Sequence, residues 1–176
     1  MNCSTRWSLT LDSPQGTHAA GVALGKRLPP KAVVLLYGPM GAGKTTLVKG
    51  VCQGLAIPPQ VVISPTYTLV NIYHGVAEVF HVDFYRIRDP EELLEMDPRD
   101  WLNPQGPTLI EWPEKAAPLL VGLETLQISL IQVDGQDDRR LMFVDAPPGW
   151  EPVLDGLIML GAVQTSGSSN PPREHP

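Results

Sequence analysis

The residues best suited to chemistry stand together at Gly38-Pro39-Met40-Gly41-Ala42-Gly43-Lys44-Thr45, which fits the phosphate-cradling pattern G-x-x-x-x-G-K-[ST] at every fixed position. Glycines at 38, 41 and 43 let a backbone approach phosphates with no side chain in the way. Successive N–H groups and a helix N-terminus then point positive dipole at the anion. In that role Lys44 reaches the β- and γ-phosphates as a point charge, and the Thr45 hydroxyl ligates Mg²⁺. A glycine-rich turn that binds nothing has no use for a Lys-Thr pair opening a helix.

Two acids have the chemistry to complete such a site. Asp83 closes an apolar run over residues 78–83, and Glu111 follows a short apolar run at 108–110. Strand-end carboxylates near a P-loop hold the metal or orient the attacking water. The residues alone leave Asp83 and Glu111 interchangeable between those two tasks. Trp112, next to Glu111, can stack on a base or pack. Ser64-Pro65-Thr66 lies between strand-like runs at 61–63 and 68–73, which puts two hydroxyls on a loop. Asp89-Pro90-Glu91-Glu92 reads instead as a helix start, with Asp capping, Pro at the first position and two acids favouring the dipole of a helix through Met96.

The elements that must position these groups follow from periodicity. Residues 7–11 alternate as a first strand, and Ser13-Pro14 opens a helix to about Leu28, where Pro29-Pro30 stops it. An apolar, β-branched run at 32–37 precedes the P-loop, and Leu47, Val48, Val51, Cys52 and Leu55 form a helical stripe after it. Gly75 turns the chain between strands 68–73 and 78–83. Strands at 125–133 and 140–144, joined through Asp134-Gly135, read as an edge hairpin, and a short helix is expected at 153–160.

Composition limits the remaining possibilities. The chain has 176 residues, 43% of them apolar, which suits one domain with a real core. A net charge of -6 argues against a surface that grips a nucleic acid by itself, so any contact with RNA is expected to be indirect. Cys3 and Cys52 form no C-x-x-C, signalling neither zinc nor a disulfide framework. With no apolar h-region and no run of about 20 apolar residues, the protein is expected to be soluble and cytoplasmic, without a membrane span. Residues 1–160 are read as one domain, and 161–176, rich in Ser, Gly, Pro and Asn, as a disordered tail.

Four blocks, in order, resemble the bacterial TsaE family, the small ATPases of tRNA threonylcarbamoyladenosine synthesis. They are Gly38-x-x-Gly-Ala-Gly-Lys-Thr-Thr46, Ser64-Pro-Thr-Tyr-Thr-Leu-Val70, His81-x-Asp-x-Tyr-Arg86 with Asp89-Pro-Glu-Glu-Leu93, and Ile110-Glu-Trp-Pro113. The resemblance runs from about Leu11 to Val144. It implies an α/β fold, a single P-loop NTPase-like domain with a mixed β-sheet flanked by helices. It also implies ATP and Mg²⁺ as cofactors, and TsaB and TsaD as partners in making t6A37 on tRNA.

Carried over residue by residue, the family pattern implies Met40, Gly41, Ala42, Gly43, Lys44, Thr45 and Thr46 for the nucleotide phosphates, and Thr45 with Glu111 for Mg²⁺. It puts Asp83 and Thr66 near the γ-phosphate, as catalytic groups with Lys44. Trp112, directly after the metal-binding acid, is expected close to the nucleotide. The family's acidic nucleotide contact before its first helix falls on Pro14, which offers neither a carboxylate nor an N–H. A further nucleotide contact, in the last hairpin, falls on Asp138. Residues beyond Ala146 match nothing in the family pattern.

Two other classes share a P-loop. A small-molecule kinase normally needs a lid with several arginines, and Arg86, Arg88 and Arg99 are few and scattered. A GTPase switch would need N-K-x-D, which is absent. A non-hydrolysing nucleotide-binding adaptor would carry the same residues as a slow ATPase.

Overall fold

In the computed structural model of the protein, which describes residues 5–95 and 97–165, the sheet is built outward from β2 (Val33–Tyr37), the strand that delivers the P-loop. Its sequence, VVLLY, is apolar without alternation because both of its faces are covered. Val34 and Leu36 join one apolar cluster with Leu24, Leu47, Val51 and Leu154. Val33 and Leu35 join another on the opposite face, with Phe80, Val82, Phe84 and Ile110. A period of two therefore splits one strand between two cores.

On one side β2 pairs in parallel with β5 (Thr108–Glu111), which pairs in parallel with β4 (Glu78–Asp83). The strand β3 (Val70–His74) closes that edge, antiparallel to β4. On the other side β2 is parallel to β6 (Thr125–Val133), which turns back as β7 (Gln136–Ala146). Then come β1 (Thr5–Leu11) and β8 (Val163–Thr165), giving the order β3-β4-β5-β2-β6-β7-β1-β8 in one mixed sheet. Helices α1 (Pro14–Gly25), α2 (Lys44–Gly54) and α5 (Glu151–Ile158) supply residues to the first core. The short helices α3 (Glu91–Leu94) and α4 (Ala117–Leu120) supply Leu93 and Leu120 to the second.

The helix that follows the P-loop is locked in place by close backbone packing. A Cβ at Gly21 of α1 would stand 2.3 Å from the Leu47 carbonyl oxygen, and one at Gly50 of α2 would stand 2.1 Å from that of His18. Only glycine permits that approach. Ser13 caps α1, its hydroxyl accepting from Gly16 N at 3.1 Å.

Several expected elements are changed by tertiary context. The first helix ends at Gly25 rather than near Leu28, since Pro29 disfavours helical backbone at the residue before it. Residues 61–63 form no strand. The chain makes one 3-10 turn, Pro59–Val61, and the backbone of Ile63 is satisfied by the Tyr73 phenol, which accepts from Ile63 N at 3.1 Å and donates to Ile63 O at 2.9 Å. The following strand starts at Val70, because Thr68 and Leu69 are held in a turn by N–H bonds to Pro65 O at 3.0 and 2.8 Å.

The helix expected through Met96 has its last described helical residue at Leu94; Met96 lies outside the described residues. The β6–β7 hairpin is not at an edge. It sits between β2 and β1, with β7 antiparallel to β1 along Thr5–Leu11. Helix α5 begins two residues earlier than expected, at Glu151, behind Trp150, whose indole N–H donates to Glu124 at 2.7 Å. Val163–Thr165, within the stretch read as a tail, pairs with β1, and residues 166–176 lie outside the described residues. Among the described residues no helix is long and apolar enough to cross a membrane.

Candidate functional site

The P-loop leaves β2 with Gly38, Gly41 and Gly43 at φ values of 137°, 80° and 101°, a region that L side chains rarely adopt. At Gly38 a Cβ would also meet the Leu130 carbonyl oxygen at 2.5 Å. Helix α2 then starts at Lys44 with Gly43 as N-cap, no capping side chain and no acid in its first turn. Its first N–H groups, which have no intrahelical partner, are therefore left for an external acceptor.

Lys44 is almost completely buried, 4% exposed. Its Nζ donates to the carbonyls of Gly38 at 2.6 Å and Pro39 at 2.9 Å and lies 4.1 Å from the centroid of the Trp112 ring. Burial lowers its pKa, and the charges of Glu111, Glu114 and Asp83 pull it back up. Tyr85 packs on the Trp112 ring, centroids 5.0 Å apart.

Parallel pairing sets the two acids side by side. Asp83 at the end of β4 is opposite Glu111 at the end of β5, and Glu111 is opposite Leu36, just before the P-loop. The Thr45 hydroxyl donates to Glu111 Oε1 at 2.8 Å. His81 Nε2 stands 2.9 Å from the same oxygen. Around Asp83 the donors are different. Thr66 donates to Oδ2 at 2.6 Å and the Tyr85 N–H to Oδ1 at 2.8 Å. Ser64 Oγ is 2.7 Å from the Thr66 hydroxyl and 3.1 Å from Asp83 Oδ2. Both acids are buried, yet both border one open cleft of about 260 Å³.

That cleft gathers most of the residues singled out in the sequence. Met40 through Thr46, Thr66, Asp83, Glu111 and Trp112 all line it. Pro14 and Asp138 do not. Pro14 opens α1, the helix from which Thr17 Cγ2 comes within 3.6 Å of where a Gly43 Cβ would stand. Asp138 is exposed near the start of β7. Two residues on, Arg140 reaches back to the P-loop, donating to Ala42 O at 3.1 Å and Gly41 O at 3.2 Å.

Ser64, Tyr85, His81 and Arg140 belong to this constellation and were not singled out as site residues. For His81 a signal existed, since it precedes Asp83 by two and so shares its face of the strand.

The site suits a divalent cation that arrives with phosphates. Among the described residues no group of three or more His, Cys, Asp and Glu side chains could hold a metal. Mg²⁺ characteristically takes only one or two protein ligands and completes its shell with phosphate oxygens and water. The Thr45 hydroxyl, donating its hydrogen bond to Glu111, keeps its lone pairs for such an ion. The space a Cβ would take at Gly41 is empty, and the uncapped start of α2 supplies donors for the phosphates.

A parallel strand, a glycine loop closing on Lys-Thr at a helix start, and two strand-end acids facing that loop define a P-loop NTPase-like α/β domain. Comparison with known proteins narrows this class. Residues 11–141 match the family model described as threonylcarbamoyl adenosine biosynthesis protein TsaE. The tRNA threonylcarbamoyladenosine biosynthesis protein TsaE of Haemophilus influenzae is 40% identical over 126 residues, 71% of this chain and 77% of the relative. The Bacillus subtilis protein of the same name is 35% identical over 146 residues, 82% of this chain and 89% of the relative. The crystal structure of Bacillus subtilis YdiB superposes with a TM-score of 0.73 at 26% identity, covering 90% of this chain and 98% of that one. The chain belongs to the TsaE family.

Proposed function

We propose that this protein is an ATPase that binds Mg-ATP in the cleft and hydrolyses it, in the cytoplasm, in support of t6A37 synthesis on tRNA together with TsaB and TsaD. The observation that carries the reading is the 2.8 Å bond from Thr45 to Glu111, which ties the hydroxyl of the P-loop to a strand-end acid as a metal site requires.

When bound, Mg-ATP supplies the γ-phosphoryl group and a cation that neutralises phosphate charge. The protein's part is to hold and orient. Backbone N–H groups from Met40 to Thr46 bind phosphate oxygens, and Lys44 exchanges the carbonyls of Gly38 and Pro39 for them. Thr45 and Glu111 hold the cation. Asp83 has three donors on its two oxygens and about four acceptor sites, which leaves one site to orient a water for attack. Thr66, donating to Asp83, keeps that carboxylate fixed. Trp112 flanks the nucleotide. The acidic balance of the chain favours tRNA contact through the partners rather than through this surface.

The test is phosphate release from Mg-ATP by the purified protein, alone and with TsaB and TsaD, alongside assay of t6A formation on tRNA. Release that depends on Mg²⁺, and t6A synthesis that stops when this protein is omitted, are expected. No release under either condition would leave a nucleotide-binding adaptor, and transfer to a small-molecule acceptor would make it a kinase.

A further inference from the structure

His81 is a buried polar group that the reading above leaves without a task. Its side chain is fully buried on β4. The ring reaches diagonally from β4 to β5, passing Leu109, its register partner, to place Nε2 2.9 Å from Glu111 Oε1. Nδ1 is buried with no hydrogen-bond partner among the described residues. A side chain that merely filled this core would be better apolar, since an imidazole brings an unmatched polar atom out of water.

The contact also assigns a proton. An ionised carboxylate only accepts, so the bond to Glu111 exists with the proton on Nε2. Glu111 Oε1 then takes two donors, the Thr45 hydroxyl at 2.8 Å and the His81 ring at 2.9 Å. Two donors, one from the first turn of α2 and one from β4, fix the rotation of the carboxyl group about its last bond. Oε2 is left for another partner.

We propose that His81 is a positioning residue for the metal-binding acid, its Nε2–H holding the Glu111 carboxylate in the orientation that receives the cation of the bound nucleotide. This rests on the assignment of Glu111 and Thr45 to Mg²⁺ made above. His81 touches neither nucleotide nor metal. It acts through Glu111, as hydrogen-bond partners of metal ligands do in general.

The test compares the parent protein with His81→Leu, His81→Gln and Glu111→Gln, measuring Mn²⁺ affinity in the presence of ADP by electron paramagnetic resonance. ADP affinity without divalent ion and thermal stability are measured beside it. Leu keeps bulk and loses the donor, and should weaken Mn²⁺ binding by roughly tenfold or more, the range for lost outer-shell partners. Its metal-free ADP affinity should stay within about twofold, because the donors of the P-loop are untouched. Gln restores an N–H and should recover most of the Mn²⁺ affinity, although both variants disturb the core.

A folded His81→Leu protein that binds Mn²⁺ like the parent overturns the proposal, as does equal loss in Leu and Gln. Loss in Glu111→Gln without loss in His81→Leu sinks this inference alone. If Glu111→Gln keeps full Mn²⁺ affinity, the metal assignment beneath it fails and takes the inference with it. A measurement on the unsubstituted protein stands even if His81→Leu does not fold. ¹⁵N-histidine spectra should show His81 carrying its proton on Nε2, and a proton on Nδ1 alone overturns the proposal.

Discussion

The Lys44 ammonium lies 4.1 Å from the centroid of the Trp112 ring while donating to two carbonyls of its own loop. The indole is thus a direct neighbour of the cation that must move to meet phosphates. Backbone geometry holds it there: Trp112 has φ 57° and ψ 47°, a left-handed conformation uncommon for a bulky residue, with Pro113 immediately after it.

Tryptophan fluorescence is therefore expected to report nucleotide binding. Transfer of Lys44 from the indole face to phosphate changes the field at that ring. The chain has four tryptophans, so the comparison is a titration of the parent and of Trp112→Phe with ADP and ATP. The variant should lose most of the response. Full retention would show that another tryptophan, or none near the site, reports binding.

Replacing Lys44 separates binding from folding. Lys44→Ala removes the charge that the P-loop directs at the β- and γ-phosphates, which backbone donors cannot replace. Hydrolysis should fall by at least about 10²-fold and ATP affinity should drop. The carbonyls of Gly38 and Pro39 lose a donor, but Gly38 is only half-buried and Pro39 is exposed, so water can serve them. Stability should accordingly change by no more than about 1 kcal/mol. Phosphate release and urea denaturation of the same preparation decide it, and parental turnover in a folded variant refutes the P-loop assignment.

Alkaline stability tests the core behind α2. Burial pushes the Cys52 thiol from its ordinary value near 9 to about 12. The unfolded chain releases that proton first, so the contribution is intact below pH about 9 and is lost as pH rises from there toward 12. Between pH 8 and 10 this one group removes about 1.4 kcal/mol. Urea denaturation across that range should show a correspondingly shallower decline in Cys52→Ala. Parallel declines in parent and variant would mean that the thiol ionises as readily folded as unfolded.

The parts of this molecule legible in the sequence are those set by local pattern. Fixed spacing marks Gly38 to Thr45, and an apolar run ending in an acid marks Asp83 and Glu111. What escapes is set by partners distant in the chain. Nothing local to residues 61–63 indicates that the Tyr73 phenol takes up the Ile63 backbone and leaves no ladder to form. The β6–β7 hairpin reads as an edge because sheet order depends on where β1 returns, and β1 pairs with β7 from the far end of the sequence. Arg140 reaches the loop carbonyls across 98 residues of chain, which no spacing rule anticipates. His81 is visible as sharing the face of Asp83, but its diagonal reach to Glu111 depends on the register of β4 against β5.

The two carboxylates are the sharpest remaining test, because pattern alone makes them interchangeable and their donors do not. Glu111 accepts from the P-loop hydroxyl, whereas Asp83 accepts from Thr66, Ser64 and the Tyr85 N–H. If Glu111 holds Mg²⁺ with Thr45, Glu111→Gln removes a charge beside the metal, and the loss should appear in the Mg²⁺ dependence of both binding and turnover. If Asp83 orients the attacking water, Asp83→Asn should leave Mg-ATP affinity within a few-fold of the parent. Hydrolysis should still fall by roughly 10²-fold or more, as for an interaction made mainly in the transition state. The measurement is a Mg²⁺ titration of ATP binding and single-turnover hydrolysis for each variant, with thermal melts to show that both are folded. A raised Mg²⁺ requirement in Asp83→Asn, with none in Glu111→Gln, would exchange the two roles and make the acid at the end of the longer strand the metal ligand.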